Sequence, residues 1–234
     1  MNRQRTLDNR NHIKGLRLDR HEKVDNWSKN IFNKVISRSK NHIFSTHPDF
    51  SKLYNSISRF LKIPKNNFLV TSGIDGATKQ IFETFVKPND YIIYLNPTWK
   101  MYEVYTSIFN AKALKININE KNFKIDLKKI SLYLKKKPKI FFLSLPNSPI
   151  EANISLSEIK KIIDLCKKYN CLIVFDEAYH GFGSKSQIQK YKKHNNIIIT
   201  RSFSKSFGLT AIRLGILISN KKILNKVEIK RLAY

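Results

Sequence analysis

Short apolar runs that alternate with helix-like segments are the feature of this sequence that most constrains its fold. Residues 139–144, 171–175 and 196–200 are runs rich in isoleucine, valine and phenylalanine. Residues 155–169, between the first two runs, place apolar side chains on one face of a helix. Because strands that are apolar on both faces need covering on both sides, the pattern predicts an α/β fold. We expect a mostly parallel sheet with helices on both faces.

The same alternation extends towards the N-terminus. Residues 68–71, 91–95 and 113–118 are predicted strands, and residues 75–86 and 102–109 are predicted helices. We find no internal repeat and no long linker in the sequence. The alternation is therefore typical of a single α/β domain.

The charge balance of the chain is strongly basic. It has 44 Lys and Arg against 17 Asp and Glu, a formal net charge of +27. Such an excess can indicate nucleic acid, a membrane surface or anionic substrates as partners. However, the 34 lysines are scattered through every segment and outnumber the 10 arginines, a profile that an AT-rich genome also produces. We therefore expect no nucleic-acid partner, and a basic nucleic-acid-binding protein is the remote alternative.

The cysteines and the apolar runs indicate the compartment. Cys166 and Cys171 form neither a CxxC pair nor a metal-ligand pattern, so we expect buried thiols in a reducing environment and no metal site. No apolar run is long enough to span a bilayer. The polar N-terminus lacks the apolar region of a signal peptide. The sequence therefore predicts a cytoplasmic protein without a membrane partner.

Polar residues follow three predicted strands, at the edge where open α/β sheets bind ligands. Residues 72–77 open a helix with two glycines, whose N–H groups can bind an anion, although ordinary helix capping also explains them. Asp176 follows four apolar residues, so a desolvated carboxylate there needs a cationic partner. Lys205, flanked by serines and phenylalanines, suits the Schiff-base chemistry of a desolvated amine.

These strand ends resemble the class I and II aminotransferases, pyridoxal-phosphate enzymes of fold type I. Residues 202–215 (SFSKSFGLTAIRLG) resemble the family's cofactor-lysine signature, and residues 176–179 (DEAY) resemble its strand-end motif. Residues 145–149 (LPNSP) and 96–102 (NPTWKMY) resemble two of its loops. Several motifs in the family's order and spacing make the resemblance specific. Within the family, the opening and phosphate-loop segments are most similar to the histidinol-phosphate aminotransferase branch.

The resemblance implies a role for each matching residue around pyridoxal 5'-phosphate. Lys205 would form the Schiff base and carry the proton as general acid and base. Asp176 would pair with the pyridine nitrogen, and Tyr179 would hydrogen-bond the 3'-oxygen. Trp99 would stack on the ring, whereas Tyr102 is expected to serve packing rather than catalysis.

The phosphate of the cofactor has its own set of implied ligands. The N–H groups of Ile74, Asp75 and Gly76 would hold it at the start of a helix. Ser202 and Arg213 would complete the cradle.

Two segments depart from the family pattern. Where the family has an asparagine that contacts the 3'-oxygen, this chain has Ser148 preceded by Asn147, so either side chain could take that role. Where the branch has a tyrosine that reaches the neighbouring subunit's phosphate, this chain has His47, which could still donate a hydrogen bond. The resemblance also implies a homodimer, since sites of this family are completed across the subunit interface.

The resemblance also implies a domain division. Residues 1–40 would be an N-terminal arm and first helix of the small domain, and residues 41–220 the cofactor-binding large domain. Residues 221–234 would start the interdomain helix, left without its packing partner. Family members continue for on the order of a hundred residues more, a domain-sized piece. We therefore expect the C-terminal small domain, with its substrate-carboxylate arginine, to be missing.

The expected reaction is transfer of an amino group from a small amino donor to an oxo-acid or phosphorylated acceptor. A second hypothesis keeps the cofactor but decarboxylates a phosphorylated amino acid. A third is an inactive cofactor-binding fragment. The sequence does not discriminate among substrates.

Overall fold

The computed structural model describes residues 21–23, 25–38 and 45–230. These residues form two compact units, one within residues 1–65 and one within residues 66–231. Of the segment expected to form the N-terminal arm and first helix, residues 1–40, residues 1–20, 24 and 39–40 lie outside the described residues. The domain division expected from the sequence stays a prediction.

In the described part of the first unit there are two helices, α1 (Lys29–Ser37) and α2 (Ser51–Leu61). The hydroxyl of Ser28 caps α1 by accepting the N–H of Ile31 at 3.3 Å.

The second unit alternates strands with helices, as the apolar pattern predicts. Its strands are β1 (Phe68–Ser72), β2 (Tyr91–Asn96), β3 (Lys112–Asn117), β4 (Ile140–Ser144), β5 (Leu172–Glu177), β6 (Ile197–Ser202) and β7 (Leu214–Ser219). Its helices are α3 (Gly73–Phe85), α4 (Met101–Ile108), α5 (Leu127–Leu134), α6 (Leu156–Lys168) and α7 (Lys221–Glu228). Three short 3-10 turns lie at Lys65–Asn67, Ile188–Lys192 and Thr210–Ile212.

The strands form one sheet in the order β1-β7-β6-β5-β4-β2-β3. Strands β2 to β6 run parallel, and β7 runs antiparallel to both β1 and β6. The predicted fold class, a mostly parallel α/β sheet, is confirmed. Because the parallel strands share one direction, their C-terminal ends meet at the same edge of the sheet.

The central strands are buried on both faces, which explains their continuous apolar sequences. Ile140 and Phe142 of β4 belong to a core that includes residues of α3, α4 and α7. Phe141 alternates with them and is equally buried on the opposite side, where α5 and α6 contact β3 and β5. Both faces of the sheet therefore carry helices.

Helix α7 corrects one expectation. The sequence predicts that residues 221–234 start a helix that is left without its packing partner, and α7 within this segment ends at Glu228. Its residues Ile223, Leu224 and Val227 are buried in the core beside α3. The apolar face of α7 is thus covered within the second unit.

Candidate active site

A pocket of about 250 Å³ opens at the C-terminal ends of the parallel strands. Neighbouring strands each contribute a polar side chain from their C-terminal ends, Ser144 from β4, Asp176 from β5 and Ser202 from β6. The start of α3 and three loops complete the wall. The pocket is lined by Ile74, Asp75, Trp99, Ser144, Pro146, Ser148, Asp176, Ala178, Tyr179, Ser202, Ser204, Lys205, Thr210 and Arg213.

Most of the residues predicted for the site meet at this pocket. All of them line it except Gly76, Asn147 and His47. His47 belongs to the first unit, so its implied contact with a neighbouring subunit stays a prediction. Segments up to 139 residues apart, from Ile74 to Arg213, are thereby brought to one place.

Asp176 is the most deeply buried acidic group of the pocket, with 4% of its surface exposed. Its carboxylate accepts hydrogen bonds from the Tyr102 hydroxyl, the backbone N–H of Ala178 at 2.9 Å and the Thr200 hydroxyl. All three donors are neutral, so burial outweighs them and raises the pKa of Asp176 above its ordinary value. A cationic group placed in the pocket beside this carboxylate would therefore be favoured.

Tyr102 is a residue whose role the sequence reasoning missed. Its ring does pack in the core, stacked on Phe142 at 4.6 Å between ring centroids. Its hydroxyl, however, donates to Asp176 and lies 3.0 Å from the Ser144 hydroxyl. Burial first, and then the charge of Asp176, raise the pKa of Tyr102 well above its ordinary value. The only sequence signal for this contact was the position of Tyr102, three residues after Trp99, which lines the pocket.

Lys205 and Tyr179 face each other across the pocket. The Lys205 Nζ lies 5.6 Å from the centroid of the Tyr179 ring, within range of a cation–π contact. Burial raises the pKa of Tyr179, and a hydrogen bond with Ser148 works in the opposite direction. An amine and a phenol therefore share one half-buried space.

A closed turn after β6 holds Lys205 in place. The N–H of Leu209 donates to the Phe203 carbonyl and the N–H of Gly208 donates to the Lys205 carbonyl, both at 3.0 Å. The Thr210 hydroxyl donates to the Ser204 carbonyl at 2.8 Å. These bonds stabilise the backbone on both sides of Lys205.

The start of α3 and Arg213 form an anion cradle. By helix geometry, the N–H groups of Gly73, Ile74 and Asp75 have no intrahelical acceptor, whereas that of Gly76 is the first that the helix itself can bond. The helix dipole adds positive potential at this end. The Arg213 guanidinium lies against Gly73, because a Cβ added at Gly73 would come within 2.9 Å of Nη2. A phosphate fits such a cradle.

The loop after β4 carries Asn147 and Ser148, the two candidate ligands of the cofactor's 3'-oxygen, and their side chains have different surroundings. Asn147 is buried and ties two loops together, accepting from Thr98 at 2.6 Å and donating to the carbonyls of Pro97 and Ile150. Ser148 instead lines the pocket and hydrogen-bonds Tyr179. The structure thus brings Ser148, and not Asn147, to the pocket.

A buried ion pair braces the wall behind Asp176. Because neighbouring side chains on a strand point to opposite faces, Glu177 turns away from the Asp176 side. It accepts from Arg201 Nε at 2.8 Å and from the Ser186 hydroxyl. The N–H of Gln187 donates to the same carboxylate. These contacts connect the ends of β5 and β6 with the loop that carries Tyr179.

The described residues lack both a metal-binding cluster and a membrane-spanning helix. Within the ranges that the structure describes, no group of three or more His, Cys, Asp or Glu could hold a metal ion. Among the same residues, none of the helices has the length and apolar character needed to cross a membrane.

Comparison with known proteins gives one consistent family. Residues 16–231 match the family described as aminotransferase class I and II. A histidinol-phosphate aminotransferase of Clostridium novyi is 35% identical over 216 residues, which are 91% of this chain and 60% of the relative. One from Buchnera aphidicola is 39% identical over 76% of this chain and 51% of the relative. The chain spans about half the length of the curated relatives it matches.

Solved structures show the same fold. The histidinol-phosphate aminotransferase of Clostridium acetobutylicum has a TM-score of 0.73 at 22% identity, over 87% of this chain and 59% of the other. That of Sinorhizobium meliloti, described as a complex with pyridoxal-5'-phosphate, has a TM-score of 0.69 at 19% identity, over 77% and 49%. The family match over nearly the whole sequence, together with this fold, shows that the chain belongs to the class I and II aminotransferases.

Proposed function

We propose that the pocket binds pyridoxal 5'-phosphate and that the whole protein transfers an amino group with it. The observation that carries the proposal is Asp176, a buried carboxylate with neutral donors, lining the same pocket as Lys205 and the anion cradle. A cofactor with a protonatable ring nitrogen at one end and a phosphate at the other fits this arrangement of a buried acid and a cradle.

Each end of the cofactor has residues suited to it. Asp176 would hold the proton on the ring nitrogen, and the start of α3 with Arg213 would hold the phosphate. The Tyr179 hydroxyl would donate to the 3'-oxygen. Trp99 would form the wall over the ring, supported by its edge contact with Tyr102 at 5.4 Å between ring centroids.

Lys205 would supply the amine that the cofactor aldehyde requires. The bound cofactor supplies an electron-withdrawing ring that stabilises negative charge on the substrate carbon. The Nζ of Lys205 would remove the proton from that carbon and return it at the other end of the reacting system, as general base and then acid. Its half-buried position beside Tyr179 limits the access of water to that exchange.

The names of the relatives support a proposal for the substrate class. Relatives called histidinol-phosphate aminotransferase cover most of this chain. We infer that the whole protein exchanges an amino group between an amino acid and a phosphorylated oxo compound. The homodimer and the cytoplasmic location expected from the sequence are part of the same proposal, and the two buried free cysteines support a reducing compartment.

The test is the visible absorption spectrum of the purified chain with added pyridoxal phosphate. The parent should develop a visible band that borohydride removes, and mass spectrometry of peptides should then find the cofactor on Lys205. Lys205→Ala should lack both signals. Lys160→Ala, on an exposed position of α6, should keep them.

Two results would contradict the proposal. One is a folded parent protein with no band at saturating cofactor. The other is a cofactor label distributed over surface lysines in the parent and unchanged in Lys205→Ala.

A further inference from the structure

Tyr102 connects the core of the second unit to the floor of the pocket. Its side chain is 1% exposed, and its ring is held by Phe142 and, at 6.2 Å between centroids, by Tyr94. The hydroxyl reaches Oδ2 of Asp176, a residue 74 positions away in the chain. Because packing fixes the ring on several sides, the position of the hydroxyl is set before any ligand arrives.

The hydrogen-bond direction through Tyr102 is determined by its neighbours. Tyrosine has a single O–H, and the Asp176 carboxylate can only accept. The Tyr102 proton therefore points to Asp176, and the Ser144 hydroxyl, 3.0 Å away, donates to the Tyr102 oxygen. Ser144, Tyr102 and Asp176 thus form a directed chain that ends on the carboxylate.

Neighbouring groups have opposing effects on the ionisation of Asp176. Burial opposes ionisation, and so does Glu177, the next residue on β5. The hydroxyls of Tyr102 from α4 and Thr200 from β6, with the Ala178 N–H, favour it. Tyr179, Lys205 and Arg213 face the same pocket from its loops, and Asp75 faces it from the start of α3. Because burial raises the pKa of Tyr102 well above its ordinary range, this phenol remains a donor wherever Asp176 titrates.

We propose that Tyr102 is a positioning residue that holds Asp176 as an oriented carboxylate facing the pocket. The part that concerns a ring nitrogen rests on the proposed cofactor function. The hold on the carboxylate is a property of this chain alone, so it can be tested without cofactor.

The first experiment measures urea unfolding midpoints from pH 4.5 to 8 without cofactor. When folding raises the pKa of an acid, the protein loses stability as the pH rises from the pKa of that acid in the unfolded chain, near 3.8, through its pKa in the folded protein. Tyr102→Phe removes a donor and raises that folded pKa further, so its loss of stability should increase with pH over this range. Adding Asp176→Asn should make the loss independent of pH.

Tyr94→Phe is the matched control. It removes a buried phenol oxygen from the same core, and the Asp176 donors are other groups. Its effect on the midpoint should not vary with pH. If the loss of stability in Tyr102→Phe is equally independent of pH, and Asp176→Asn does not change it, then Tyr102 serves only packing and the proposal is overturned.

The second experiment measures cofactor affinity by fluorescence titration. Pyridoxal phosphate should bind Tyr102→Phe about tenfold more weakly than the parent, the scale of one lost hydrogen bond to a charged group. The analogue with carbon in place of the ring nitrogen should bind both proteins alike, and Tyr94→Phe should match the parent. Equal weakening for both ligands would overturn the orienting role.

Failure of the cofactor proposal is distinguishable from failure of this one. If the parent binds neither ligand, the proposed function is wrong. The pH series still decides whether Tyr102 holds Asp176, because it needs no ligand.

Discussion

At the scale of single residues, the pocket depends on close approaches that leave no space for larger side chains. A Cβ added at Gly215 of β7 would lie 2.6–2.8 Å from the backbone C, Cα and O of Gly73. Gly73 itself has φ +67 and touches the Arg213 guanidinium, and a positive φ favours glycine. Gly215 therefore lets the sheet approach the start of α3, where the anion cradle forms.

Gly215→Ala should destabilise the protein and displace the cradle. Since backbone rather than a flexible side chain opposes the new methyl group, we expect a loss of about 1–3 kcal/mol in the free energy of unfolding. Pyridoxal phosphate should bind more weakly because α3 must shift. Urea unfolding and ligand titration would measure the two effects.

Ile216→Val on the same strand is the control for Gly215→Ala. It removes one methylene from a buried side chain at a cost of about 0.5–1.5 kcal/mol, without moving α3. Its ligand affinity should equal that of the parent. A Gly215→Ala protein as stable as the parent, with unaltered affinity, would show that the contact relaxes freely.

Residues that belong to a local motif could be predicted from the sequence, and those paired at long range could not. Asp176 and Lys205 each follow an apolar strand, so their place at the sheet edge follows from the local pattern. Tyr102 meets Asp176 across 74 residues, and its apolar neighbours made packing the natural interpretation. The sequence could not decide whether Asn147 or Ser148 faces the pocket. The answer depends on the loop carbonyls of Pro97 and Ile150, which accept hydrogen bonds from the Asn147 amide.

At the scale of elements, the ends of β5 and β6 are joined to the Tyr179 loop by charge. Glu177 and Arg201 are 1% and 8% exposed, and the pair lies in register on adjacent strands. Ser186 joins them, since Arg201 Nη2 donates to its hydroxyl at 2.6 Å. Strand ends and loop therefore move together, which keeps Asp176 and Tyr179 in fixed relation.

Breaking this pair from one side should be far more harmful than removing both partners. Arg201→Met leaves a buried carboxylate without its cation, and we expect a loss of about 3–5 kcal/mol. Combining it with Glu177→Leu should recover much of that loss, because buried apolar pairs can replace buried ion pairs. Urea unfolding of the parent, both single variants and the double variant measures the coupling.

The exposed pair Lys79–Glu83 on α3, 3.4 Å apart, serves as the comparison. Lys79→Met should cost less than about 1 kcal/mol, as surface pairs do. If Arg201→Met costs no more than Lys79→Met, the buried pair does not hold the loop in the way proposed.

Elements with strong apolar periodicity were predicted within a few residues, whereas two others were missed. The predicted strand at 139–144 is β4 (Ile140–Ser144), and the predicted helix at 155–169 is α6 (Leu156–Lys168). Strand β7 was missed because it begins within the last residues of the lysine motif and pairs antiparallel with β1, over a hundred residues earlier. Helix α5 was missed because its eight residues give little periodicity.

At the scale of the whole molecule, the net charge of +27 acts against compactness. In the described residues the ion pairs include only a few of the lysines, among them Lys79, Lys100 and Lys115. Like charges distributed over one surface repel each other, and this repulsion is relieved on unfolding. The charge excess is therefore expected to lower the stability of the fold rather than to specify it.

This repulsion predicts that salt stabilises the protein. The distance over which charges interact falls from about 10 Å at 0.1 M ionic strength to about 3 Å at 1 M, so sodium chloride should raise the urea midpoint at pH 7. At pH 10, close to the isoelectric point of 10.1, the net charge is near zero and the same salt series should change the midpoint little. Chloride suits the measurement because phosphate or sulfate would also occupy the anion cradle and stabilise by binding. A midpoint that falls with salt at pH 7 would mean that attractive ion pairs dominate, and the lysines would then form a specific charged network rather than a diffuse excess.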